Sequence, residues 1–549
     1  MSPEYSLQLP SSSTHVSLTH ATSTRSPSWP LDVRRQQEDK YSGSREGSRP
    51  SRKSSSQGHA IAELSNAILQ FGVNLYRALR SGSATAASDT LPVHDHLENV
   101  LLSPYLIASM MQPMAAGARG ETAAQIFRLV QCPEVWESAQ GCTETGKARR
   151  TPSCVFCYRI TRPVPLLAYQ RTFPCCVDQV VRYFAYRDKR LLPDGRRNYY
   201  QQAGFTTQYD CCLHRDRRVA LKEDFEARHL RRLREDSAPS SSQSGGAGSG
   251  GTYRRLRKRP RCGRLRSQSH DFVNDSVHQR WKIETELKDA VPLLGKGTAC
   301  EALPRGSVDE HTSLVLLSAV AVKGRWRRRF HPAQVNEGIF YEPSSDGATG
   351  GVQQTASWTP RAVIMMHQTG NFRMADSAEL EATALELPYK SGARYLVVFL
   401  PQRQDGLDAL EARMTADNLA QCLRQMKRRM DVDLTLPKFH VRAATDLAAA
   451  LSSMGADLLF DRDAADLSGM CASEGAFVSV ARHAAAFRTS WKGRVSRSPA
   501  LTPSVQHEKF TVNRPFLFLV LSRRPNAVLL LGSVRSVRPH FCPELLPSA

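Results

Sequence analysis

Phe510-Thr-Val-Asn-Arg-Pro-Phe-Leu-Phe-Leu-Val-Leu521 runs into a turn at Pro525-Asn526 and then into Ala527-Val-Leu-Leu-Leu-Gly-Ser-Val-Arg535. Two short apolar runs separated by turn residues read as a pair of buried strands joined by a hairpin. Outward from this hairpin, the 549 residues are 41% hydrophobic and 23% charged, enough apolar sequence for a large core. No run of about eighteen apolar residues occurs, so no membrane span is expected. The start, Met1-Ser-Pro-Glu-Tyr5, is followed by Ser, Thr, Arg and Pro and shows no apolar run of the signal-peptide kind.

The formal charge of +22 is local: residues 147–266 hold 28 Lys and Arg against 10 Asp and Glu, a surplus of 18. Clusters such as Arg187 to Arg190 and Arg254 to Arg261 suit a sulfated polysaccharide or other polyanion through counterion release. No aromatic-rich sheet motif or base-reading helix accompanies them, so no specific nucleic-acid recognition is expected. Nine of the thirteen cysteines lie between Cys132 and Cys262. Cys154-Val-Phe-Cys157 has metal-ligand spacing but lacks the second pair that zinc needs, and no metal or cofactor is assigned.

Residues 1–58 are rich in Ser, Arg and Pro without apolar periodicity, which predicts disorder. Order begins within 59–131, where Ile61, Leu64, Ile68, Phe71, Leu75 and Leu79 recur at helical spacing. Next comes Asn99-Val-Leu-Leu-Ser-Pro-Tyr-Leu-Ile-Ala-Ser-Met-Met, then Ala116-Gly-Ala-Arg-Gly-Glu-Thr. Residues 132–270 alternate Cys-Pro and Arg-rich pieces with a Ser/Gly linker at 240–251. From 271 to 541 the chain returns to recognisable blocks: Ser313-Leu-Val-Leu-Leu-Ser-Ala-Val-Ala-Val-Lys-Gly-Arg-Trp326, Met365-Met-His367, Leu387-Pro-Tyr-Lys390, Val397-Val-Phe-Leu-Pro401 and Leu436-Pro-Lys-Phe439. Val432, Leu434 and Leu436 alternate with Asp433 and Thr435 as a strand, and Asp446-Leu-Ala-Ala-Ala-Leu451 opens a helix closed by Gly455.

In this order the blocks and the hairpin resemble the serpins, large protease inhibitors that work by changing shape. The resemblance implies an α+β fold with a large central mixed β-sheet, surrounding helices and a second β-sheet or barrel. It also implies that the central sheet is incomplete, because 132–270 replaces a helix and two strands that the family requires. A disordered insertion and sequence foreign to the mature protein compete for this segment; replacement of expected elements favours the second. Either way, 147–266 is expected to be protease-sensitive.

A serpin offers an exposed loop, about 491–509 here, to a serine or cysteine protease. Once cut, the loop enters the central sheet as a new strand and drags the acyl-enzyme with it. The resemblance therefore implies an inhibitor and not an enzyme, acting as a monomer and extracellular although no signal peptide is visible; Asn274-Asp-Ser276 is the one glycosylation acceptor sequence. Ser103 and His483 match the family's shutter, under the opening sheet, and Trp326 matches the breach, where insertion starts. Leu106 and Ser318 replace two polar shutter residues, so that network is expected to be depleted.

The hinge departs most from the family pattern, with Trp491, Lys492, Gly493 and Arg494 standing where an acidic residue, Gly, Thr, Glu and alanines are usual. Alternation places Arg494, Ser496, Ser498 and Ala500 on the face that insertion would bury. An unpaired buried arginine is costly, and Pro499 lacks the N–H that a central strand needs. Counting forward from Gly493 by family spacing reaches His507, whereas counting back from Pro515 reaches Leu501 to Ser504. The scissile bond is thus confined to Leu501, Thr502, Pro503, Ser504, Val505, Gln506 and His507. The expected function is protease inhibition with trapping impaired; the alternatives are a non-inhibitory ligand- or partner-binding serpin and a polyanion binder using 147–266.

Overall fold

The computed structural model describes residues 53–85, 99–130, 199–202, 204–232, 265–295, 301–344, 358–491, 508–523 and 526–537. In chain order its elements are α1 (Lys53–Thr85), β1 (Leu101–Leu102), α2 (Pro104–Gly117), α3 (Gly120–Leu129), β2 (Tyr199–Gln202), β3 (Phe205–Asp216), α4 (Glu223–His229), β4 (Leu230–Arg232), β5 (Leu265–His270) and α5 (Phe272–Ala290). There follow β6 (Leu314–Gly324), β7 (Val335–Pro343), β8 (Trp358–Ser377), β9 (Ala382–Pro388), β10 (Arg394–Pro401), α6 (Leu407–Arg413), α7 (Ala416–Gln425), β11 (Lys427–Pro437), β12 (His440–Asp446), α8 (Ala448–Ser453), β13 (Val478–Arg488), β14 (Lys509–Thr511), β15 (Phe516–Arg523) and β16 (Asn526–Val534).

Two sheets carry the fold. The hairpin β15–β16 sits inside a nine-stranded sheet ordered β1-β16-β15-β10-β9-β8-β11-β14, with β7 on β8. The other is a mixed sheet ordered β12-β13-β6-β3-β5-β4, with β2 on β3. β6 is apolar without interruption from Leu314 to Leu317 because both of its faces are covered. Val315, Leu317, Ala319 and Ala321 face Phe272, Ile283 and Leu287 of α5. Val320 and Val322, beside Phe205 of β3, face Leu385 and Phe518 of the other sheet. The helices α1, α2, α6 and α7 close a further core with Leu314, Leu316, Leu517 and Leu519.

The reading of 132–270 as devoid of family elements is overturned for its described part. β3 is an interior strand, antiparallel to β6 from Phe205↔Gly324 to Arg215↔Leu314 and parallel to β5 from Cys212↔Arg266. Its face toward α5 is polar yet buried, with Asp210, Cys212, His214 and Asp216, which hides the strand from a search for apolar alternation. Asp210 pairs with Arg266 at 2.8 Å, His214 Nδ1 lies 3.0 Å from His270 Nε2, and Asp216 accepts from Phe272 N–H at 3.0 Å. The sheet is therefore more complete than expected, and the stretch read as disordered includes folded residues. Hydrogen exchange is expected to be as slow over 205–216 as over 314–324. Fast exchange across all of 205–216 would remove this strand from the sheet.

The disorder expected up to residue 58 is corrected as well, since α1 begins at Lys53. A helix nucleated by packed turns extends backward without apolar side chains. Further along α1, Ile68, Phe71 and Leu75 are buried as the periodicity predicts. Gly72 is required by the crossing of α1 over α2, because a Cβ there would stand 2.4 Å from the Pro104 ring. Cys154 and Cys157 lie outside the described residues. Among the described residues Cys211, Cys212, Cys422 and Cys471 are free thiols, no cluster of three metal-ligating side chains occurs, and no helix is long and apolar enough to cross a membrane.

Candidate functional site

The centre of the mixed sheet is a seam between two parallel strands. β13 pairs directly with β6 in a ladder from Val478↔Leu314 to Arg488↔Lys323. A chain leaving the end of β13 and folding back would run antiparallel to both neighbours, so the geometry has a natural slot for one more strand. That slot is closed.

His483 lies in register with Ser318 across the seam and is fully buried, at 0% exposure. Its Nε2 is 3.1 Å from the backbone nitrogen of Ser103 and its Nδ1 is 2.8 Å from Ser318 Oγ. A backbone N–H can only donate, so Nε2 accepts, and the neutral ring carries its proton on Nδ1, donating to Ser318. Burial pushes this imidazole down to about 3. Ser103 is held in place as the N-cap of α2, its Oγ facing Leu106 N–H at 3.4 Å, with Pro104 in the first turn. The expected depletion of this network does not hold at Ser318, whose hydroxyl takes the imidazole proton; Leu106 contributes an apolar side chain and its backbone N–H.

The His483 site implies a pH dependence. A base whose pKa falls on folding binds fewer protons when folded, so acid favours unfolding. Stability is complete above the ordinary histidine value of 6.5 and is lost as the pH falls toward 3. His214 and His270 are also lowered, chiefly by burial, and add to the same slope. The urea midpoint is expected to be flat from pH 8 to 7 and to fall steadily below about pH 6.5. His483→Asn, which can keep both hydrogen bonds without the titration, should make that slope shallower; an unchanged slope would exclude His483 as a contributor.

At one end of the seam Trp326, 1% exposed, stacks on Tyr389 with ring centres 4.6 Å apart and planes 9° from parallel. Phe205 meets Tyr389 edge-on at 4.7 Å, and Phe330 meets Trp326 edge-on at 6.3 Å. Trp326 and Tyr389 also form an isolated antiparallel bridge. Sequence reasoning singled out Trp326 and missed Phe205 and Tyr389; the Leu387-Pro-Tyr-Lys390 block was the available signal.

Beyond β13 the backbone stays pinned, with Thr489 N–H donating to the Phe439 carbonyl at 3.0 Å and Phe439 N–H donating to Thr489 Oγ1 at 2.9 Å. Trp491 then packs, partly buried, against the core between the sheets. Lys492, Gly493, Arg494 and the window Leu501 to His507 lie outside the described residues. The chain is anchored again where Glu508 O accepts from Asp433 N–H at 2.8 Å and β14 pairs parallel with β11. Arg429 bridges the carboxylates of Glu508 and Asp376. Asn274 is exposed near the start of α5, and its side-chain amide lies 3.0 Å from both carboxylate oxygens of Asp271.

A family model described as Serpin (serine protease inhibitor) matches residues 264–537. The protein Iris of Ixodes ricinus is 27% identical over 484 residues, covering 87% of this chain and 100% of its own. Serpin B3 of Homo sapiens is 31% identical over 276 residues, covering 49% of this chain and 66% of its own. The solved structure of human thyroxine-binding globulin complexed with thyroxine superposes with a TM-score of 0.59 at 20% identity, covering 87% of this chain and 100% of that one.

Proposed function

Because the chain belongs to the serpin family, we propose that its function is to engage a serine protease through the segment between Trp491 and Glu508, as a weak trap that is cleaved more often than it captures. The observation that carries this reading is the β13–β6 pair, two parallel strands meeting at a closed seam with the loop segment leaving from the end of one of them. Closure by His483 and Ser318 supports a chain held ready to accept a strand. The sequence of the entering segment, with Arg494 and Pro499, supports slow entry.

The test is proteolysis with sequencing of the new N-terminus. One early cut inside 492–507, by a trypsin-like or chymotrypsin-like enzyme, is expected before any cut within a described strand. Early cuts elsewhere, with 492–507 intact, would overturn the proposal. A second reading, a serpin that binds a ligand without inhibiting, is supported by the same hinge and by the fold neighbour thyroxine-binding globulin, solved in complex with thyroxine.

A further inference from the structure

We propose that His214 and His270 form an acid-released clamp that holds α5 against the mixed sheet and, through α5, keeps the β13–β6 seam covered. The two imidazoles sit on adjacent parallel strands, β3 and β5, with His214 Nδ1 3.0 Å from His270 Nε2. His270 Nδ1 lies 3.0 Å from Gln279 Oε1 on α5. An amide oxygen only accepts, so His270 carries its proton on Nδ1 and presents Nε2 as an acceptor; His214 must then donate from its own Nδ1. One directed chain of hydrogen bonds thus runs from β3 through β5 to the helix. A proton added at His270 Nε2 sets two donors head to head and breaks it.

The helix is divided where the clamp acts. Its backbone leaves the helical region at Asp275 (φ −148°, ψ 48°), so the first turn and residues 276–290 are separate pieces. Asp216 holds the first piece by accepting from Phe272 N–H at 3.0 Å, and the His270 ring stacks on Phe272 with planes 9° apart. The second piece is held by Gln279 and by Glu286, which accepts from Gln268 at 2.6 Å. It carries Ile283 and Leu287 into a core shared with Leu317, Ala319 and Ala321 of β6 and with Ala484 and Ala486 of β13. One apolar cover therefore spans both strands of the seam, and lifting it bares their pairing on that face. Easier loop entry in acid would follow; that step rests on the protease-engaging function, whereas the clamp does not.

The surroundings of the pair fix the sign. β3 contributes Asp210, Cys212 and Asp216, β5 contributes Arg266, α5 contributes Lys282 and Glu286, and the adjoining turns contribute Arg217 and Asp271. Arg266 is committed to Asp210 at 2.8 Å, and burial pushes the Cys212 thiol up, so it stays protonated. His214 and His270 are 3% and 2% exposed, and burial lowers both. The clamped state therefore takes up a proton less readily than the released one, and acid favours release. Asp210 works in the opposite sense, since burial raises its carboxyl. Each imidazole freed to its ordinary value of 6.5 shifts the opening equilibrium by up to about tenfold between roughly pH 7.5 and 5.5.

Hydrogen exchange of the full chain would be read at about pH 7.5 and 5.5, each rate referred to the unfolded chain at that pH. Protection over 276–290 is expected to fall about tenfold or more at the lower pH, through an opening that low urea leaves unchanged, while exchange over 516–534 follows urea. His214→Gln combined with His270→Gln keeps the donor–acceptor chain without a titrating ring and should hold the loss within about threefold. His483→Asn should leave the loss as it is. In the unaltered chain, side-chain nitrogen chemical shifts at neutral pH should place the protons of both His214 and His270 on Nδ1. The proposal is overturned if protection over 276–290 is the same at both pH values, or if its exchange follows the urea slope of 516–534. It is equally overturned if the double variant loses protection as the parent does, if His483→Asn abolishes the loss, or if His270 carries its proton on Nε2.

Discussion

Mixed with a trypsin-like or chymotrypsin-like protease, the chain is expected to be cut between Trp491 and Glu508 and to release active enzyme, leaving little covalent complex after boiling in SDS. Trapping is a race between entry of the cut loop into the sheet and hydrolysis of the acyl-enzyme. Entry has to part the β13–β6 ladder and break the His483–Ser318 hydrogen bond. Completing the new strand would restore a paired ladder, but this loop must carry Arg494 inward and leave a gap at Pro499. If those two features raise the barrier by about 3 kcal/mol, insertion slows by roughly a hundredfold. Hydrolysis then prevails, and the cleaved chain should show no large rise in thermal midpoint.

The converse variant is informative. Gly-Thr-Glu-Ala-Ala-Ala-Ala-Thr placed over 493–500 supplies a small, strand-compatible entry segment and keeps Trp491, which packs between the sheets. It should shift the partition toward an SDS-resistant complex and raise the thermal midpoint of the product. A covalent complex formed efficiently by the unaltered chain would refute the hinge argument, because the sheet would then have to accommodate Arg494.

Residues whose role follows from local pattern were legible in the sequence, and those whose role follows from register were not. The hairpin β15–β16 is largely apolar and was visible at once, as was the strand in which Val432, Leu434 and Leu436 alternate. Ser318 looked like a loss because its value depends on standing opposite His483 on the paired strand, 165 residues away in the chain. β3 was invisible for a different reason. Its inward residues on one face are Asp210, Cys212, His214 and Asp216, a pattern that reads as solvent-facing until Arg266, His270 and the start of α5 are brought against it. Buried polar faces satisfied by distant partners carry no period of their own.

Glu411→Leu is expected to be the most destabilising of the single substitutions considered, by about 3 kcal/mol, because it breaks a buried charge pair from one side. Arg535, 4% exposed at its side chain, places a guanidinium nitrogen 2.7 Å from Glu411 and also 2.7 Å from Asp408. The Tyr76 hydroxyl lies 2.5 Å from Glu411 and 2.6 Å from Ser533 Oγ. A carboxylate cannot donate, so the tyrosine gives its single proton to Glu411 and accepts from the serine. Burial, followed by the Glu411 charge, holds that phenol well above its ordinary range, so it remains a donor. The cluster thereby ties α1, α6 and the end of β16 together, segments that are distant in the chain.

Leucine at 411 would leave Tyr76 without its acceptor and Arg535 with Asp408 alone. That surviving partner keeps the loss near the lower end of the usual 3–5 kcal/mol for breaking a buried pair. For a domain of this size the thermal midpoint should drop by roughly 4 °C. Adding Arg535→Met should restore much of the loss, since replacing both members of a buried pair by apolar side chains removes the stranded charge. If the double variant is as unstable as the sum of the two single ones, the pair contributes nothing jointly, and the stability resides in the separate contacts of each residue with the surrounding core.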